Sequence, residues 1–120
     1  MLNLYYFTSA SGRNLVKEFI GNLPTKTQDK IYTVIDFFET YGFHLETQYL
    51  RRMSGTQALW ELRIKHQSNQ YRIFLARLEN NAAVFLHAIV KKTQKTPTQD
   101  IETAEHRLAE VKTSLQKGTK

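Results

Sequence analysis

Nine cations stand against two acids in residues 51–95: Arg51, Arg52, Arg63, Lys65, Arg72, Arg77, Lys91, Lys92 and Lys95 against Glu61 and Glu79. That segment nets +7, the remainder of the chain −1, and the whole +6. Guanidinium and ammonium groups without matching carboxylates suit a polyanion such as RNA. RNA can be cut by its own 2′-hydroxyl. The reaction then needs a base for that hydroxyl, positive charge on the pentacoordinate phosphorane and an acid for the 5′-oxygen. Arginine and lysine supply the charge. A lysine moves protons only if its pKa is lowered, for instance by neighbouring cations.

The candidate catalytic set is Arg63, Arg72, Lys91, Lys92 and His87. Arg63 shares a strand face with Glu61 and Lys65, and Arg72 stands mid-strand between Tyr71 and Ile73, where its fork could hold two phosphate oxygens. Strand alternation sends Lys91 and Lys92 to opposite faces, and Lys91 shares parity with His87. Which lysine enters the site, and which group is base or acid, stays open. His87 lies inside an apolar strand and reads either as a satisfied core residue or as a catalyst. Arg51, Arg52, Lys65 and Lys95 read as RNA-binding. Lys95 precedes a helix start, itself an anion site. Tyr49 and Tyr71 could stack on a base or serve the core. His44, His66 and His106 share no metal-ligand spacing, so neither metal nor cofactor is expected.

The elements that must position these residues follow from periodicity. Leu2–Phe7 is a short apolar strand, and Ser9–Arg13 a turn. Leu15, Val16, Phe19, Ile20 and Leu23 keep helical spacing over about Asn14–Asn22, and Pro24 stops that helix. A second helix is expected to start with Thr25 as cap and Gln28 closing a capping box, to carry the stripe Ile31, Val34, Ile35, Phe38, Tyr41, and to end at Gly42. After Gly42 the period changes to two. Strands are predicted over Tyr49–Met53, around Trp60-Glu61-Leu62-Arg63-Ile64-Lys65, over Gln70–Leu78 and over Ala82–Lys92, joined by short polar turns. Thr96, Pro97 and Gln99 mark a final helix, with Asp100 and Glu102 in its first turn and a seam of Ile101, Ala104, Leu108, Val111 and Leu115. The expected fold is α+β: an antiparallel sheet of four to five strands with an N-terminal helical hairpin and a C-terminal helix.

At 120 residues the chain suits one domain, expected over residues 1–115 with 116–120 as a flexible tail. The absence of cysteine excludes disulfides, thiolate zinc sites and a cysteine nucleophile. The longest apolar run, Ala82–Val90, is interrupted by His87 and far too short to span a bilayer. The N-terminus has no signal-peptide pattern, so a cytoplasmic protein is expected, with no membrane partner.

Trp60-Glu61-Leu62-Arg63 on one strand, Tyr71-Arg72-Ile73 on the next, and His87-x-x-x-Lys91-Lys92-Thr93-x-Lys95-Thr96-Pro97 before an acidic-start helix resemble the RelE/ParE toxin superfamily. Within it the chain is most similar to the phage-derived, HigB-like branch. The resemblance spans roughly Leu4–Lys112 and is most specific over Lys91–Pro97. It implies a RelE-like fold and the toxin of a type II toxin–antitoxin pair, an endoribonuclease that cuts mRNA on the ribosome without a metal. It also implies a helix-turn-helix, HigA-like antitoxin, with operator DNA reached only through that partner. Cleavage would leave a 2′,3′-cyclic phosphate and a 5′-hydroxyl. Some superfamily nucleases use a C-terminal tyrosine, but the tail after Val111 has neither tyrosine nor histidine. Proton transfer must then come from Lys91, Lys92, His87 or the ribosome. Two other classes share the fold: a non-catalytic, ParE-like inhibitor of DNA gyrase and an inactive RNA-binding module. Basic residues on the strands rather than on the helical hairpin argue against the first.

Overall fold

The structure, a computed structural model, describes residues 1–91 and 98–118, with side chains through Leu115. The elements are β1 (Asn3–Tyr6), α1 (Leu15–Gly21), α2 (Thr25–Tyr41), a 3-10 turn (Gly42–His44), β2 (Leu50–Arg52), β3 (Leu59–His66), β4 (Asn69–Leu78), β5 (Ala82–Lys91) and α3 (Thr98–Gly118). The strands form one sheet in the order β1-β5-β4-β3-β2. The meander β2 to β5 is antiparallel as expected. The sheet as a whole is mixed, however, because β1 pairs parallel to β5, with Asn3 beside Ala82 and Tyr6 beside Phe85. A strand whose partner is last in the meander, reached through two helices, has no need of the hairpin geometry that enforces antiparallel pairing.

Alternation along β3 to β5 builds two cores. Leu62, Ile64, Tyr71, Ile73, Leu75, Ala83 and Phe85 face α1 and α2, meeting Val16, Ile20, Ile31, Val34, Ile35 and Phe38. Leu59, Phe74, Ala76, Val84 and Leu86 face α3, meeting Ala104 and Leu108, with Ile101 and Val111 alongside. β4 is buried on both faces from Tyr71 to Ala76, as a central strand covered twice must be. Phe85 is fully buried, edge-on to Tyr6 at 5.2 Å and stacked on Phe38 at 6.0 Å. It thereby joins β1, β5 and α2.

Tight turns fix the register. The β3–β4 hairpin needs only Gln67 and Ser68 between His66 and Asn69, with Gln67 at φ 55°. The β4–β5 turn places Asn80 and Asn81 at φ 62° and 55°, a conformation asparagine tolerates better than most residues. Within β5 the register shifts. Phe74 pairs with His87 and Leu75 with Phe85, which leaves Leu86 as the extra residue of a bulge. Leu86 and His87 therefore both face α3, and alternation restarts with Ala88 on the opposite core.

Three helix expectations need correction. The residue before α2 is Pro24, not Thr25, and no side chain caps it. Proline has no N–H to donate in the reciprocal bond of a capping box. The Gln28 amide instead donates to the carbonyls of Leu23 (2.8 Å) and Gly21 (3.3 Å), tying α2 to the end of α1. Tyr41, placed at the end of the apolar stripe, is 59% exposed, and Leu115 in α3 is 51% exposed. Both lie in or near the final turns of their helices, past the last buried residues Phe38 and Leu108. The expected helix start at Thr96 and Pro97 lies outside the described residues, and α3 runs on to Gly118.

Replacing Phe85 with alanine should lower the unfolding free energy by about 3–5 kcal/mol, because a fully buried aromatic is lost from a rigid junction. Urea denaturation of wild type and variant measures this.

Candidate functional site

On the face that carries α3, the sheet changes character beyond Phe74. The cross-strand pairs there are Arg51 with Glu61, Arg63 with Arg72, Lys65 with Gln70, and Gln70 with Lys91. Directly paired residues share a face. Arg51, Arg63, Lys65, Arg72 and Lys91 therefore gather on one surface with Glu61, the only acidic residue in the five strands.

Arg72 forms the floor of this group. Only 2% of its surface is exposed. One end of its guanidinium donates to Gln70 Oε1 at 2.8 Å, while its Nε lies 3.9 Å from Glu61 Oε2. Arg63 Nε lies 3.6 Å from Glu61 Oε1. Both distances fit an ion pair but exceed a hydrogen bond, and among the described residues neither buried Nε has a hydrogen-bond partner. Burial pushes the Arg72 pKa down; Glu61 works against that, while Arg63 and Arg51 reinforce it. The Lys91 ammonium is pushed down as well, first by desolvation and then by Arg72 and Arg63, with Glu61 opposing. A lysine with a lowered pKa is the condition for proton transfer set by the sequence.

The other candidates divide. Lys65 and Arg51 stand exposed at the rim. Arg52 does not join the group: it pairs with Trp60 on the opposite face and donates to the Gln57 carbonyl. Arg77 also faces away, its guanidinium 4.7 Å from the centre of the Phe43 ring. Alternation from a three-residue strand separates Arg51 from Arg52, which composition alone does not show. Lys92 and Lys95 lie outside the described residues. Tyr71 is buried in the core and Tyr49 packs on Phe37 at 5.8 Å. Among the described residues, no group of three or more His, Cys, Asp or Glu gathers in a way that could hold a metal.

His87 is held by α3 on both sides of its ring. Nε2 lies 2.7 Å from Asp100 Oδ1, and Nδ1 lies 3.3 Å from Arg107 Nη1, which also donates to the Leu86 carbonyl at 2.8 Å. A guanidinium only donates, so Nδ1 must accept, and the ring proton sits on Nε2 facing Asp100. Phe74 stands between His87 and Glu61 across the sheet. The structure thus places His87 in a strand-to-helix clamp rather than beside Arg63, Arg72 and Lys91. Sequence reasoning missed the partners Asp100 and Arg107. It placed Glu61 on one strand face with Arg63 and Lys65; the reach of Glu61 to Arg72 depends on the β3–β4 register.

The sequence profile of phage-derived, Gp49-like proteins matches residues 18–109, which takes in this whole cluster. The chain belongs to that family. Gp49-like proteins are a toxin-like family related to the toxins of toxin–antitoxin pairs, and membership implies an antitoxin as partner. A comparison with curated proteins finds no match. Among the described residues, no helix is long and apolar enough to cross a membrane.

Two outcomes follow from this geometry. Arg72→Met should leave stability unchanged or raise it by about 1–4 kcal/mol, since an apolar side chain of similar volume replaces an under-compensated buried charge. His87→Ala should lower stability by about 1–3 kcal/mol, because it strips hydrogen-bond partners from Asp100 and Arg107. Chemical denaturation of both variants checks the signs.

Proposed function

We propose that this Gp49-like protein has a RelE-like fold and is the toxin of a type II toxin–antitoxin pair, acting in the cytoplasm as an endoribonuclease on ribosome-bound mRNA. The observation that carries this reading is the buried Arg72 guanidinium. It lies beneath Arg63, with which it shares one carboxylate, and Arg51, Lys65 and Lys91 stand on the same face. Such a charge excess is costly for a protein to maintain alone and favourable once an external phosphate lies against it.

In this reading Arg63 and Lys91 contact the scissile phosphate. Arg72 acts from below, stabilising the charge that develops on the phosphorane in a setting less screened than water. Arg51 and Lys65 hold the flanking RNA backbone, and Lys95 and Lys92 belong to the same basic tract of the sequence. The protein's own cations take the place a metal fills in other nucleases. Its antitoxin is a HigA-like helix-turn-helix protein, which carries the pair to operator DNA.

Induced expression in bacteria of wild type beside Arg63→Ala, Arg72→Met and Lys91→Ala, with 5′-end mapping of cellular mRNA, tests the proposal. Wild type should produce new ends at in-frame codon positions, and each variant should lower their yield by at least about tenfold, roughly 1.4 kcal/mol of transition-state stabilisation. Growth arrest with intact mRNA would instead point to a gyrase-type target. Salt-sensitive RNA binding without cuts or arrest would leave a binding module.

A further inference from the structure

Glu61 is out of place in a surface built to hold phosphate. Every other charged strand residue of the cluster is a cation, and a carboxylate among them weakens attraction for a polyanion. Its geometry does not make it a simple clamp either. At 3.6 Å and 3.9 Å it satisfies neither arginine Nε by hydrogen bonding. The side chain keeps 13% of its surface exposed, whereas that of Arg72 beneath keeps 3%. The carboxylate is thus oriented by two guanidiniums while its oxygens make no hydrogen bond to either of them.

We propose that Glu61 is the general base that takes the proton from the attacking RNA 2′-hydroxyl. This rests on the nuclease reading above. The 2′-oxygen forms its bond to phosphorus as its proton passes to a Glu61 carboxylate oxygen. The bond from phosphorus to the 5′-oxygen breaks, and that oxygen takes a proton from the Lys91 ammonium. The products are a 2′,3′-cyclic phosphate and a 5′-hydroxyl, and solvent returns the proton from Glu61 to Lys91. Arg63 and Arg72 keep their charge throughout and stabilise the phosphorane. Among the described residues, the charged groups facing Glu61 are Arg51 from β2, Arg63 on its own strand, Arg72 from β4 and Lys91 from β5.

The test is single-turnover cleavage of ribosome-bound mRNA by wild type and Glu61→Gln. Binding is measured in parallel with an mRNA carrying a 2′-deoxy nucleotide at the cut site, and folding by thermal melting. Glu61→Gln should cleave about 10²–10⁴-fold more slowly, the usual worth of a general base. It should bind the uncleavable mRNA as tightly as wild type or more so, since one negative charge is gone. A wild-type rate in the variant overturns the proposal, as does a rate loss matched by an equal loss of binding or of folded protein. In both cases the nuclease reading survives, because wild type still cuts. If wild type cuts nothing on ribosomes while arresting growth, the nuclease reading falls and this proposal falls with it.

Discussion

A guanidinium buried in the central strand of a five-stranded sheet is the constraint around which this molecule is organised. Removing such an ion from water costs several kcal/mol even after the protein relaxes. Arg72 recovers part of that through Gln70 and a share of Glu61. Arg63 draws on the same carboxylate, so one negative charge serves two positive ones. The deficit can persist because the surrounding sheet is rigid. β4 is hydrogen-bonded on both sides, apolar residues pack against it from α1 and α2 on one face and from α3 on the other, and two short turns prevent slippage. Stability in the packed half of the sheet thus supports electrostatic tension in the charged half.

The second polar arrangement is of a different kind. Around His87 both ring nitrogens have partners: Asp100 takes the ring proton, and Arg107 serves both the other ring nitrogen and a backbone carbonyl. Arg107 also lies 5.3 Å from the centre of the Phe7 ring. This network pins α3 to β5. The Arg72 group remains under-satisfied. The contrast separates the bonded His87 ring from the open cation group, although both sit on one face of one sheet.

Periodicity made most of the scaffold legible. The 3.6-residue stripe of α2 and the two-residue alternation of β3 show in the letters because burial on one face forces them. Edge pairing did not show, since nothing in Asn3–Tyr6 records that its neighbour lies some eighty residues away and runs parallel. The cap at Thr25 was misread because a capping-box pattern does not register that Pro24 lacks an N–H. In the candidate site, Arg63, Arg72 and Lys91 were identified from type and spacing, and the structure brings them together. The face of Arg52, the depth of Arg72 and the pairing of Glu61 depend on cross-strand register, which no local pattern encodes.

The bulge at Leu86 has a consequence for how β5 carries information. Counting by twos from Phe85, which faces α1 and α2, would send Lys91 into that same apolar core. The extra residue resets the count, and Lys91 emerges beside Gln70 and Arg72 on the charged face. The strand therefore behaves as two segments in opposite phase, spliced at one position. The first segment is written in the grammar of the core and the second in that of the surface chemistry. Each can vary in sequence without shifting the phase of the other, so long as the splice keeps its length.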